Sequence, residues 1–420
     1  MKTKLVIVLM GALVLFGSVA ARGATEAQKQ AAIDAGLAYL ASTQAADGHW
    51  EYGDDYYDTA ATGAALFAFL EEGYTGSDAV VQNGLSYLFS KAQTYAVGVE
   101  PAGDPDLDGD GLGVKFVLGG DINRDTYVTG LAATAIARTG TPSAVVNVPG
   151  SQVDGWTYGQ VMRDVMDYFA YGQADPGNNA QGGWRYYADY GQSDNSTAQW
   201  PEIAALVSGG YMGQDMAPFV KTELEYWINY IQNADGGSAY DGTTDLGGGA
   251  RVSNMSRTGA LLIEMIYCGW PTTGTAQEQA DVAAALAYIN GQWDMGANAT
   301  WNGNFGHPYA MWAVYKGLEG TIGLDDTTTI TPRAQGGAVI DPGDTWNWWE
   351  DYCEYLVTTQ AANGSWGGYS YWTGPMATSW YINILAATEI PPPPVIPEPV
   401  TMAGLMLGIG GLVTYIRRRK

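Results

Sequence analysis

The chain has 420 residues, of which 46% are hydrophobic and only 15% charged, and its formal net charge is -25. So acidic a chain argues against a nucleic-acid partner, because phosphate recognition needs basic side chains to displace counterions. Two cysteines, Cys268 and Cys353, build no disulfide framework and read as small buried hydrophobes, so an apolar core must hold the fold.

The first segment is a targeting signal. Lys2 and Lys4 precede an apolar run over 5–16, and Ser18-Val19-Ala20 offers a small-residue cleavage site. That pattern is a secretory signal peptide, assigned to 1–24 with a signal helix as its apolar part. The body runs over 25–390. Its first helix is predicted over 26–43, with Ala31, Ala35, Leu37, Ala38 and Leu40 at helical spacing and Gln44 at its end. After Asp47-Gly48-His49-Trp50, a second helix begins at Asp58, a natural N-cap, and Gly73 stops it. The first helix has a polar face, whereas the second is small and apolar nearly all round. An amphipathic helix covers a core and an all-apolar one lies inside it. The unit is therefore an outer helix followed by an inner one.

The unit recurs along the chain. Outer helices are predicted over 78–93, 158–173, 217–232, 276–292 and 345–360. The matching inner helices are predicted to begin near Asp125, Asn195, Ser256, His307 and Ala377. A long insert separates the second pair. Residues 39–50 (YLASTQAADGHW) and 355–366 (YLVTTQAANGSW) are close copies of one phrase. An aromatic–apolar pair precedes a glutamine at Tyr39-Leu40, Tyr168-Phe169, Trp227-Ile228 and Tyr355-Leu356. Thr-Gly opens inner helices at Thr62-Gly63, Thr129-Gly130 and Thr258-Gly259. Six hairpins, each with a buried inner helix, predict an all-α fold, an (α/α)6 toroid of six helical hairpins.

Gln, then Asp-Gly-x-Trp after a Tyr-Leu helix, resembles the QW repeat of squalene cyclases and protein prenyltransferases. The resemblance covers about 26–389 and implies the α/α toroid of that superfamily. It also implies structural roles for Gln44, Trp50, Gln173, Trp184, Gln232, Gln360 and Trp366. The amide would bond free backbone groups at a helix end, and the indole would shield that bond from water. A repeat of this kind specifies fold better than activity.

The C-terminal end carries a second targeting pattern. A proline-rich linker over 391–399 contains Pro397-Glu398-Pro399. An apolar stretch over 400–416 follows, at the short limit for a transmembrane helix. The basic end, 417–420, is expected on the cytoplasmic side. An ordinary tail anchor would have this composition. The order of the parts resembles the PEP-CTERM sorting signal of bacteria that make exopolysaccharide. That resemblance implies processing near Pro397, Glu398 and Pro399 by an exosortase-type enzyme. The chain would be held in the membrane through its C-terminal helix until processed, then released to the cell surface or extracellular matrix.

The chemistry expected of the resembling enzymes lacks its parts. The Asp-x-Asp-Asp acid of the cyclases has no match, and Asp325-Asp326 lacks the first aspartate. The prenyltransferase zinc set needs Asp, Cys and His, but only His307 stands at an inner-helix start, and Asp351-x-Cys353 falls within an outer helix. A hydrogen-bonded helix-start histidine is the plainer reading of His307. Asp54-Asp55-Tyr56-Tyr57-Asp58 has the spacing of a magnesium-diphosphate motif, yet it runs as a loop into a helix N-terminus, where acids are favoured anyway. Asp104, Asp106, Asp108 and Asp110, with Gly109 sixth, open like a calcium loop. Position twelve is Lys115 rather than glutamate, so a complete EF-hand is excluded. Calcium and a solvated acidic loop remain the two readings.

The inner-helix N-termini would gather a cup at the lumen mouth. Its candidates are Asp58, Asp125, Asp194, Arg257, His307, Tyr309, Trp312 and Trp380. Asp194 with Arg257 or His307 would suit acid–base chemistry, although each acid is also a natural helix cap. Two functions are therefore expected in competition. One is an exported surface or matrix protein whose toroid binds a glycan such as exopolysaccharide without the cyclase or prenyltransferase chemistry. The other is a lumenal enzyme, either of the cyclase and prenyltransferase type or a polysaccharide lyase or hydrolase.

Overall fold

The computed structural model describes residues 24–52, 57–117, 124–241, 251–293, 303–334, 338–339, 346–389 and 391. The predicted signal segment up to residue 23, the linker beyond 391, the predicted membrane span and the basic end lie outside the described residues. Among the described residues no helix is long and apolar enough to cross a membrane.

The helices come in pairs. The first repeat holds α1 (Glu26–Thr43) and α2 (Asp58–Glu71), and the second α3 (Ala79–Ser90) and α4 (Asp125–Arg138). Between α3 and α4 an antiparallel hairpin, β1 (Ala92–Ala96) and β2 (Leu112–Phe116), is inserted. The third repeat is α5 (Tyr158–Gly172) and α6 (Gln199–Met212), and the fourth is α7 (Phe219–Ile231) and α8 (Met255–Tyr267). The short α9 (Trp270–Thr273) leads to α10 (Ala276–Gln292) and α11 (Pro308–Ile322). A two-residue ladder, β3 (Arg333–Ala334) with β4 (Ala338–Val339), precedes α12 (Trp348–Thr359) and α13 (Gly374–Leu385).

The inner helices form a closed ring. α2 packs on α4, α4 on α6, α6 on α8, α8 on α11, α11 on α13, and α13 back on α2. Outer helices sit over the seams: α5 touches both α4 and α6, and α1 touches both α13 and α2. The architecture is thus an α/α toroid. Small residues allow the inner ring to close. A Cβ on Gly63 would lie 2.7 Å from the backbone of Leu131, and one on Gly259 would lie 2.5 Å from that of Ala313. Three of the outer helices start on capping boxes. Thr25 with Gln28, Thr157 with Gln160, and Thr275 with Glu278 satisfy the first free N–H groups of α1, α5 and α10.

The repeat glutamines do not bond the free backbone groups of their own helix ends, as the resemblance implied; they reach the turn that follows and the next outer helix. Gln44 Nε2 donates to the Gly48 carbonyl (3.0 Å) and to the Val80 carbonyl on the next outer helix (2.9 Å). Gln173 bonds Gly182 and Val220, and Gln232 bonds Gly236 and Asp281, in the same way. Gln360 bonds Gly364 (2.9 Å) and Ala32 (2.8 Å), so the last repeat is fastened to the first. Each glutamine therefore staples its repeat to the following one. The helix-end carbonyls go instead to the indoles. Trp50 donates to Leu40, Trp184 to Phe169 and Trp366 to Leu356, at 2.7 to 2.8 Å. Glycine follows from the close approach. Gly364 has φ +88°, and a Cβ there would lie 2.1 Å from the Ala35 carbonyl oxygen of α1. Gly48, Gly182 and Gly236 meet the next outer helix in the same manner.

Four predicted boundaries shift by three residues or more, one of them the start of inner helix six, which lies at Gly374 rather than near Ala377, with Pro375 in its first turn. Outer helix two ends at Ser90, before Gln93, because the chain there enters β1, where Gln93 pairs with Lys115. Inner helix three starts at Gln199 rather than near Asn195. The Asp194 carboxylate takes the N–H groups of Ser196 and Thr197 (2.9 and 3.0 Å) in a turn, and Pro201 then fits the first helical turn, which needs no donor. Outer helix six starts at Trp348, capped by Asn347.

Candidate functional site

The N-terminal ends of the inner helices surround a cavity of about 500 Å³. Its wall is mainly aromatic. Tyr57, Arg124, Arg257 and His307 stand at or beside helix starts, and Tyr127, Trp200, Tyr309 and Trp380 stand within the first two turns. Tyr371 and Trp372 reach in from the loop before α13. Trp200 and Trp380 stack at 6.0 Å and 21°, and Trp312 lies parallel to Trp380 at 6.2 Å and 13°. Trp372 stacks on Tyr309 at 4.8 Å and 23°. Below, Trp312 and Phe67 border a void of about 10 Å³, at the lower limit for a single water.

The polar groups of the cup are held from behind. The Arg124 guanidinium lies 3.7 Å over the Tyr186 ring, and Arg257 lies 5.3 Å from the Tyr240 ring while donating to the Val252 carbonyl at 2.8 Å. The Tyr309 hydroxyl donates to the Ser196 carbonyl. His307 caps α11, its Nδ1 accepting from Ala310 N at 3.3 Å, with its ring against Tyr369 and Trp372. Burial pushes its pKa down to about 4, so the imidazole is neutral at pH 7.

Of the eight residues expected at the mouth, Arg257, His307, Tyr309 and Trp380 line the cavity. Trp312 borders the small void beneath it. The three acids do not line it, because each is consumed by a structural partner. Asp58 accepts from Tyr52 N at 2.9 Å and lies 3.6 Å from His49 Nε2. Asp125 pairs with Lys115 at 2.6 Å. Asp194 caps the turn before α6 and pairs with Arg185 at 3.3 Å, rather than with Arg257 or His307. Among the described residues no Asp or Glu lines the cavity. Asp54 and Asp55 lie outside the described residues. No cluster of three metal-ligating side chains lies at the cavity among the described residues. The clusters found involve the acidic loop, where Asp106, Asp108 and Asp110 meet α5 and Asp104 stands apart.

The wall also holds residues that helix periodicity does not reveal: Tyr52, Tyr186 and Tyr240. Each lies two residues beyond the Trp position of a repeat, after Trp50, Trp184 and Ser238. Ser238 takes the tryptophan's backbone place, since Ser238 N donates to Thr258 Oγ1 at 3.1 Å just as Trp50 N donates to Thr62 Oγ1. The signal was a Trp-x-Tyr extension of the repeat phrase.

No family model and no curated protein matches the chain. Solved structures resemble it in fold. A glycoside hydrolase family 76 α-mannanase from Bacteroides thetaiotaomicron superposes with a TM-score of 0.52 at 9% identity, covering 85% of this chain and 95% of that one. A mannosidase of the same glycoside hydrolase family and organism gives 0.50 at 12% identity, over 85% and 97%. The type II terpene cyclase MstE from Scytonema gives 0.48 at 13% identity, over 86% and 98%. At such identities the likeness is one of fold alone.

Proposed function

We propose that the toroid cup binds a glycan and does not cleave or cyclise it. The observation that carries this is the lining: tyrosines and tryptophans with two arginines, a neutral histidine and no acid among the described residues. A sugar ring has an apolar face that stacks on indole or phenol and an edge of hydroxyls for polar side chains. Ser196, Asn254, Ser256 and the tyrosine hydroxyls supply such partners around the wall. The volume of about 500 Å³ falls within the usual range of small-ligand sites, about 300–1,000 Å³. Glycoside hydrolysis ordinarily needs two carboxyl groups across the bond, and alkene protonation needs a strong acid. Neither is met by the lining. The targeting patterns at both ends accord with export, sorting by an exosortase-type enzyme and a surface or matrix destination, where exopolysaccharide is at hand.

The test is calorimetric titration with α-mannan oligosaccharides and with exopolysaccharide from the host. Trp372 is the residue to change, because it is half-buried and its removal spares the inner ring. Trp372→Ala should weaken binding by about tenfold or more, as truncating an aromatic anchor does. Unchanged affinity would remove the cup as the glycan site. Release of shorter sugars on incubation would replace binding with turnover.

A further inference from the structure

The acidic loop between β1 and β2 meets acids from another repeat. Carboxyl oxygens of Asp108, Asp110 and Asp164 lie within 4.8 Å of one another, and so do those of Asp106, Asp108 and Asp167. Asp164 and Asp167 belong to α5, the outer helix of the third repeat. Asp164 is only 1% exposed, and its Oδ2 has no hydrogen-bond partner. Asp108 and Asp110 remain exposed to solvent, yet a carboxyl oxygen of each comes within 4.8 Å of the buried, unpartnered Asp164.

The loop is also shaped in advance. Asp106 accepts from Gly109 N and Gly111 N, each at 2.7 Å, and Asp110 accepts from Leu112 N at 2.8 Å. Gly109 and Gly111 take φ of +81° and +78°, which lets the chain turn back on itself. Asp167 is held by Arg163, at 2.8 Å to Oδ1 and 3.2 Å to Oδ2.

We propose that Asp108, Asp110 and Asp164, with Asp106 and Asp167 behind them, form a calcium site that clamps the β1–β2 insert to α5. The missing twelfth ligand of the loop, where Lys115 stands, is thereby supplied by Asp164 from the neighbouring repeat. The donors are all hard oxygens, the set that suits magnesium, calcium or manganese, with none of the thiolate or imidazole ligands typical of zinc and copper sites. Several carboxylates with adaptable geometry suit calcium, which takes six to eight oxygens, better than magnesium, which keeps its waters and prefers one or two carboxylates. Lys115 does not neutralise the cluster, because its ammonium pairs with Asp125 at 2.6 Å.

The test is calorimetric titration of the chelator-treated full chain with calcium chloride, then with magnesium chloride, alongside thermal unfolding. One calcium per chain is expected, with magnesium binding more weakly and calcium raising the melting temperature. Asp164→Asn and Asp108→Asn should each weaken calcium by at least about tenfold. Asp108 lies on the exposed loop, so D108N decides the matter if D164N does not fold. Metal-free D108N should melt no lower than the metal-free wild type, which separates ligation from folding. No calcium binding up to about 1 mM, the weak end for extracellular modules, would overturn the site. So would equal affinity for magnesium, or wild-type affinity in a folded D108N or D164N.

Discussion

Gln360→Leu tests whether the ring is closed by its repeat glutamines. The wild-type amide makes two hydrogen bonds, 2.9 Å to the Gly364 carbonyl and 2.8 Å to the Ala32 carbonyl of α1. Leucine keeps the volume and loses both. A net hydrogen bond contributes about 1 kcal/mol, so the pair is worth about 2 kcal/mol. With about 2.1 cal/mol/K of unfolding entropy per residue, a ring this long should melt about 2–3 °C lower. Gln44→Leu breaks the equivalent pair, at 3.0 and 2.9 Å, between the first two repeats and should cost the same. Only Gln360→Leu breaks the seam between the chain's two ends. Amide exchange in α1 should therefore accelerate in Gln360→Leu more than in Gln44→Leu. The assays are thermal unfolding by circular dichroism and hydrogen exchange read by mass spectrometry. A shift below about half a degree in both variants, or equal exchange in α1, would refute the stapling role.

Two further outcomes follow from buried titratable groups. His307 is held near 4 by burial, against 6.5 in an ordinary setting. Its neutral form therefore contributes stability that is complete above about pH 6.5 and is lost as the pH falls toward 4, about 3 kcal/mol by linkage. Urea unfolding between pH 4 and 7 measures this, and His307→Asn, which keeps a capping acceptor without a proton to gain, should flatten that leg. A slope unchanged in the variant would assign it to other groups. Glu202 on α6 and Glu264 on α8 are fully buried, and neither oxygen of either has a hydrogen-bond partner. Burial raises both pKa values, and Glu202 raises that of Glu264 further. Glu264→Met should stabilise the fold by about 1–3 kcal/mol, because an unsatisfied buried polar group is replaced by an apolar one of similar size. A lowered urea midpoint would show that the pair has partners the fold depends on.

The helices were legible because their signals are local. Apolar periodicity carries α1 and α2 to within a residue or two of their observed ends. The boundaries that moved are places where a distant or irregular partner intervenes. Gln93 is drawn into a strand by Lys115, and the stretch from Asp194 is fixed as a turn by its own carboxylate before the helix starts at Gln199. The cup was legible only in part. Arg257, His307, Tyr309 and Trp380 follow from lying near the starts of inner helices. Tyr186 and Tyr240 come from loops whose direction depends on the repeat turn, and Asp58, Asp125 and Asp194 are turned away by the partners they found.

Sequence alone determined the repeat, the inner and outer faces, and hence a ring of helical hairpins, because hydrophobic period and turn chemistry act over a few residues. Only the tertiary structure decided which neighbour each group meets. The stapling of Gln360 to Ala32 spans 328 positions. The meeting of Asp108 with Asp164 joins two repeats. A carboxylate's chemistry depends on the charges and donors within a few ångströms, and those are set by how repeats stack rather than by what stands beside it in the chain.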